Sequence, residues 1–145
     1  MQTLNKAVKS LNDIATNHLQ INSFTYGEVE NIATSGTIIY PLMFVAPLPA
    51  QSVGNVLKMS FTIAVMDLTH KGNDTSIQEV ESDVLLIMTD IIALLQDADY
   101  EFNLDTTNIR LQQFREKFAD EVTGWQMDIT INIPFGTDRC AVPTT

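Results

Sequence analysis

Between Ser76 and Gln96 the chain reads SIQEVESDVLLIMTDIIALLQ. Apolar residues recur there at Ile77, Val80, Val84, Met88, Ile91 and Leu95, with Ile87 and Leu94 on the flanks. This is helical spacing sustained over about five turns, which at roughly 1.5 Å per residue gives a rod about 30 Å long. A helix that long with one apolar stripe must lie against something equally wide. Ser76 and Glu79 have capping-box spacing and predict where it starts. The opposite side carries Glu79, Glu81, Asp83, Asp90 and Gln96.

The partner surface is legible on both sides of this helix in the sequence. From Val56 to Thr69, Leu57, Met59, Phe61, Ile63 and Val65 alternate with Lys58, Ser60, Thr62 and Ala64. From Trp125 to Ile133, Trp125, Met127, Ile129, Ile131 and Ile133 alternate with Gln126, Asp128, Thr130 and Asn132. A period of two predicts half-buried antiparallel strands, with one face on the core and one in water. Gly124 reads as a break before the second strand, and Pro134 as its end.

Thr37–Ala46 (TIIYPLMFVA) has strong β content and two apolar faces, so it predicts a strand covered on both sides. Pro41 argues for an edge or a bulge there. Pro47–Asn55 is rich in breakers and reads as a loop joining this strand to the next in a long hairpin. Its apolar Pro-Leu-Pro fits either a stiff loop or a contact arm. At the N-terminus, Thr3–Leu19 is a first amphipathic helix: Leu4, Ala7, Val8, Leu11, Ile14 and Ala15 oppose Lys6, Lys9, Asn12 and Asp13. SFTY, from Ser23, has β character, and a short connection follows it to Gly36. Asp97–Asp105 predicts a short strand on a wet edge. Ile109–Phe118 predicts a strand running into irregular chain.

The expected fold is α+β: an antiparallel β-sheet with a long hairpin, covered on one face by the N-terminal helix and the long central helix. Residues 1–134 form one domain, and 135–145 (FGTDRCAVPTT) form an extended C-terminal arm. At 145 residues the chain is long enough to bury a core without disulfides or metals, and its single cysteine excludes an intrachain disulfide. The first residues have no continuous apolar run, so no signal peptide is expected. No apolar stretch approaches a membrane span, and a protein assembled in the cytoplasm is expected.

Charge narrows the function classes. The net charge is −10, and Asp67–Asp105 holds ten Asp/Glu against one basic residue, Lys71. Sequence-specific DNA binding needs the opposite sign. A surface that DNA slides past without sticking is compatible with it. The chemistry of catalysis is missing: the histidines are His18 and His70, Cys140 lies on the arm, and no nucleophile elbow or phosphate-binding loop is present. Asp67, Asp74 and Asp83 do not have calcium-loop spacing and read as turn formers and helix-start acids. No Cys/His cluster has zinc spacing. No enzyme, metal or cofactor is expected, and the acids read as a solvated helix face.

Three stretches carry a resemblance. They are FTIAVMDLTHKGNDTSIQEVESDVLLIMTDIIALL (Phe61–Leu95), GWQMDITINIPF (Gly124–Phe135) and DRCAVP (Asp138–Pro143), together 53 of the 145 residues. In these and in element order the chain resembles the tail-terminator (tail-completion) and neck ring proteins of tailed bacteriophages. The resemblance implies a virion structural protein. Its subunits would form a homo-oligomeric ring, a hexamer as the favoured form, that caps the tail tube and joins it to the neck as a head–tail connector. DNA would pass through the lumen without specific binding. The partners implied are further copies of the chain and the tail-tube and neck proteins, in a virion assembled in the bacterial host cytoplasm.

Within that picture the subunit contacts fall to the elements without a core role: Pro47, Leu48 and Pro49 in the loop, and Phe135, Arg139, Cys140 and Val142 in the arm. Asp74, Glu79, Glu81 and Asp83, at the start of the central helix, are the candidate lumen-facing acids. The competing readings are another phage neck or tail-tube subunit, a non-viral cytosolic adaptor binding partners in an apolar groove beside the central helix, and, last, an enzyme built on Cys140 and His70.

Overall fold

The computed structural model describes residues 4–27, 39–68, 74–96, 103–105, 109–117 and 121–134, apart from the side chains of 74–76, 114–117 and 121. The order of elements is α1 (Leu4–Asn17), β1 (Ser23–Tyr26), β2 (Leu42–Pro47), β3 (Gln51–Val53), β4 (Val56–Leu68), α2 (Asp74–Leu95), β5 (Asn103–Leu104), β6 (Leu111–Lys117) and β7 (Glu121–Pro134). The α+β expectation holds: two helices pack on one face of a seven-stranded, mostly antiparallel sheet.

Two strands form the axis. β4 and β7 pair antiparallel along their whole length, from Val56–Pro134 to Leu68–Val122. β2 and β3 line the far side of β4, while β5 and β6 line the far side of β7. β1 adds to β2 in parallel and makes the sheet mixed.

The alternating residues sort as predicted. Met59, Phe61, Ile63 and Val65 of β4 and Met127, Ile129, Ile131 and Ile133 of β7 are buried against the helices. α1 contributes Ala7, Leu11, Ile14 and Ala15 to the same core. From α2 come Val84, Ile87, Met88, Ile91 and Leu95. Ile87 is therefore core, whereas Leu94 is exposed. The opposite face of the sheet buries a smaller apolar cluster, Leu42, Phe44, Ala64, Met66 and Val122. Its presence explains why β2 is apolar on both faces.

Several expectations are corrected. α2 begins at Asp74, two residues before the predicted start, so Ser76 stands in its first turn and not at its cap. Pro41 precedes β2, which is an interior strand between β1 and β4. Its carbonyl accepts the N–H groups of Asn22 and Ser23, starting the parallel pair. The stretch 47–55 is not one loop. Pro47 pairs with Phe61 and Gln51 with Lys58, so Leu48, Pro49 and Ala50 stand opposite only Met59 and Ser60. That is a β-bulge, and the Leu48 N–H to Ser60 carbonyl bond of 2.9 Å keeps it on the ladder. The true turn is Gly54-Asn55, with Gly54 at φ 59°, the arrangement a two-residue hairpin favours.

Gly124 does not break the chain either. It lies inside β7, where a Cβ would overlap the Val65 carbonyl oxygen and come within 2.9 Å of Met66 Cα. The residue lets two backbones approach closely.

Candidate functional site

Two surfaces hold the residues singled out by sequence, and they lie at opposite ends of β4. At the Val56 end, β4 continues into the bulge and the β3 turn. Every residue from Pro47 to Asn55 is exposed, including Leu48 and Val53. The stretch PLPAQSVGN contains no charge. Bulge and two-residue turn together hold it as a stiff finger, since the ladder to β4 constrains both of its arms. Pro47, Leu48 and Pro49 therefore sit together on an apolar projection. Phe135, Arg139, Cys140 and Val142 lie outside the described residues.

At the Leu68 end, β4 meets the first half of α2. Glu79 and Asp83 are exposed there. Glu81 faces the sheet instead: its Oε1 accepts from the buried Thr123 hydroxyl at 3.1 Å, and its backbone carbonyl accepts from Trp125 Nε1 at 2.8 Å. Of the four predicted acids, Glu81 thus has a local structural task, and the side chain of Asp74 lies outside the described residues. Periodicity alone placed Glu81 on the solvated side. A tryptophan and a threonine at alternating inward positions of β7 were the signal that its neighbours on the sheet are polar.

Asp67 joins this end. Burial pushes its carboxyl above the ordinary value of 3.8, the Leu68 N–H at 2.8 Å opposes that shift, and the nearby Asp83 charge adds to it. The two aspartates repel. Among the described residues no group of three or more His, Cys, Asp or Glu is placed to hold a metal. His70 and Cys140 fall outside the described residues.

His18 closes α1 onto α2. Gln20 N–H donates to Nδ1 at 3.1 Å, which leaves the proton on Nε2 to donate to Asp90 Oδ2 at 3.0 Å. The histidine is a boundary residue that ties two helices.

Two clefts open among the described residues. One, about 220 Å³, opens on the outer face of the sheet over Arg110, Gln112, Gln126 and Asp128. It continues a polar ladder in which Ser60 bonds Thr130 at 2.9 Å and Thr62 donates to Asp128 at 2.7 Å. The other, about 360 Å³, lies between α1 and β1 over Asn12, Ala15, Thr16, Ile21 and Phe24. Sequence reasoning gave Asn12 only a solvated helix face, because the edge strand beside it has no signature of its own. Among the described residues no helix is long and apolar enough to cross a membrane.

In comparisons with known proteins, no family model matches the chain, and no curated protein matches it.

Proposed function

We propose that the chain is a structural subunit of a tailed-phage virion, a tail-terminator-like protein whose copies form a ring, with a hexamer favoured. The ring caps the tail tube and joins it to the neck, and DNA passes through its lumen without specific binding. In this reading the protein works by assembly and not by catalysis, and it needs no cofactor.

The observation that carries the reading is the uncharged, apolar finger from Pro47 to Asn55, exposed along its whole length. In a chain of net charge −10, like-charge surfaces oppose self-association. An uncharged projection is where one copy can approach the next without that cost. A finger set against a different patch of the neighbour is a heterologous contact, the kind that closes rings. Exposed Glu79 and Asp83 on α2 are compatible with a lumen that repels the DNA backbone.

Leu48→Asp combined with Val53→Asp tests this. Both side chains are exposed, so the melting temperature should stay within a few degrees of the parent. Rings of the parent protein should be visible by negative-stain microscopy and mass photometry, and the double variant should shift to monomer. A parent chain that stays monomeric at every concentration and does not enter tails would overturn the reading.

A further inference from the structure

We infer that His18 is a proton-operated latch on the turn that carries the chain from α1 to β1. A proton gained at Nδ1 frees the Gln20 amide and loosens the turn, while the tie from Nε2 to Asp90 of α2 holds.

The ring uses its two nitrogens in unlike ways. Nδ1 accepts the Gln20 N–H at 3.1 Å, and Nε2 meets Asp90 Oδ2 at 3.0 Å. A backbone N–H can only donate and an ionised carboxylate can only accept, so the two bonds together require a neutral ring with its proton on Nε2. A proton taken from solvent adds to the Nδ1 lone pair, which was the acceptor. The ring is then a donor at both nitrogens, and N–H faces N–H at Gln20. Toward Asp90 nothing is lost: Nε2 still donates, now from a cation to an anion, which strengthens the bond. One proton thus acts on the two contacts in opposite senses.

The turn is anchored at its ends and latched in its middle. The His18 N–H donates to the Ile14 carbonyl at 3.0 Å, and the Ile21 N–H reaches back to the His18 carbonyl at 3.3 Å. Asn22 is fixed at the far end, its backbone N–H on the Pro41 carbonyl at 2.9 Å and its side-chain amide on the Tyr40 carbonyl at 2.8 Å. Between these anchors Leu19 and Gln20 are exposed, Leu19 almost fully, and the bond to Nδ1 is what fixes Gln20. Ile21, Asn22 and Ser23 follow directly and line the cleft between α1 and β1, so a loosened turn alters one wall of that cleft.

The charge that reaches the ring is Asp90. The other acids of α2, Asp74, Glu79, Glu81 and Asp83, stand about two turns or more before it along the helix. Lys6, Lys9 and Asp13 of α1 lie more than a turn before His18, and β1 carries no charge, its one titratable group being Tyr26. Histidine is the side chain that changes charge between about pH 5 and pH 8, which is the range to scan. The latch lies within one copy of the chain, so it stands or falls apart from the assembly reading.

NMR on the whole chain tests it. At pH 8 the ring nitrogens should report the Nε2–H tautomer. From pH 8 to pH 5 the Gln20 amide resonance should move with the same midpoint as the His18 ring. Its protection against exchange, corrected for the intrinsic rate, should fall about fivefold, the share one hydrogen bond holds. The His18 amide, bonded to the Ile14 carbonyl, should keep its protection. His18→Asn puts a side-chain carbonyl in the place of Nδ1 and cannot take up a proton, so its Gln20 amide should not respond to pH in this range. An Nδ1–H tautomer at pH 8, or a ring still neutral at pH 5, would overturn the inference, and neither measurement needs a variant. So would a Gln20 amide that stays fixed while the ring titrates, or one that titrates unchanged in His18→Asn. Equal loss of protection at the His18 and Gln20 amides would mean that the end of α1 melts as a whole, and the latch would fail on that result too.

Discussion

Gly54 and Gly124 stand at the two ends of the long sheet and are needed for opposite reasons. Gly54 has open space where a Cβ would project, but its φ of 59° is one that side chains rarely adopt. Gly124 has ordinary strand geometry and no space, because the Val65 carbonyl occupies the place of a Cβ. The tip of the sheet is thus limited by conformation and its root by volume. The same contrast runs through the neighbours. Around Gly54 every residue from Gln51 to Asn55 is exposed, and around Gly124 the buried Thr123, together with Trp125, bonds Glu81 of α2. Substitutions at the root should test folding, and substitutions at the tip should leave the fold in place.

The largest effect is expected for Gly124→Ala. The added methyl has to displace backbone, which cannot rotate away as a side chain can, and a loss of about 3 kcal/mol follows from overpacking of this kind. Urea denaturation reads it. A loss below the value for Gly54→Ala would break the contrast. Gly54→Ala comes next, at about 1 kcal/mol, the cost of a left-handed conformation for a residue with a Cβ. Gly54→Asn should recover part of it, since asparagine tolerates that region.

The smallest effect is a gain. Burial holds the Asp67 carboxyl above its ordinary value, so the folded chain binds that proton more tightly than the unfolded chain does. Stability is therefore lost as pH rises from the ordinary value through the raised one, and the cost is fully present at pH 7. Asp67→Asn should stabilise by roughly 0.5 kcal/mol or less at pH 7. The gain should fade as pH falls below 3.8, where the carboxyl becomes protonated in the folded and unfolded chain alike. Melting curves at pH 7 and pH 3.5 check it. A gain that persists at the lower pH would assign it to packing.

Legibility in the sequence follows the same division. The periodic segments declared themselves, because burial on one face imposes a period: the stripe of α2 from Val84 to Leu95, and the inward residues of β4 and β7. Residues whose role depends on a distant neighbour did not. Gly124 reads as a breaker until Val65 is placed beside it. Pro47 and Pro49 read as loop formers until the register shows one residue too many opposite Met59 and Ser60. The Gly54-Asn55 pair between Val53 and Val56 was a usable hairpin signal, masked by the prolines before it. Of the candidate site, the finger was legible as an apolar breaker-rich stretch. Glu81 was misplaced because helical periodicity carries no information about Thr123 and Trp125. The α1–β1 cleft was invisible, since it belongs to neither element alone.

The β4–β7 ladder has a consequence for how the chain reaches this structure. Its partners are remote in sequence, from Leu68 with Val122 at the near end to Val56 with Pro134 at the far end. α2 and two edge strands are made in between. During synthesis β4 can pair with β2 and β3 at once, while its other edge, flanked by Phe61, Ile63 and Val65, waits for β7. Closing such a long loop costs entropy before any contact repays it, so the centre of the sheet is the last part to form. The newborn chain therefore carries this edge open for longest, and the speed with which Glu121–Pro134 arrives and zips sets the yield of folded chain.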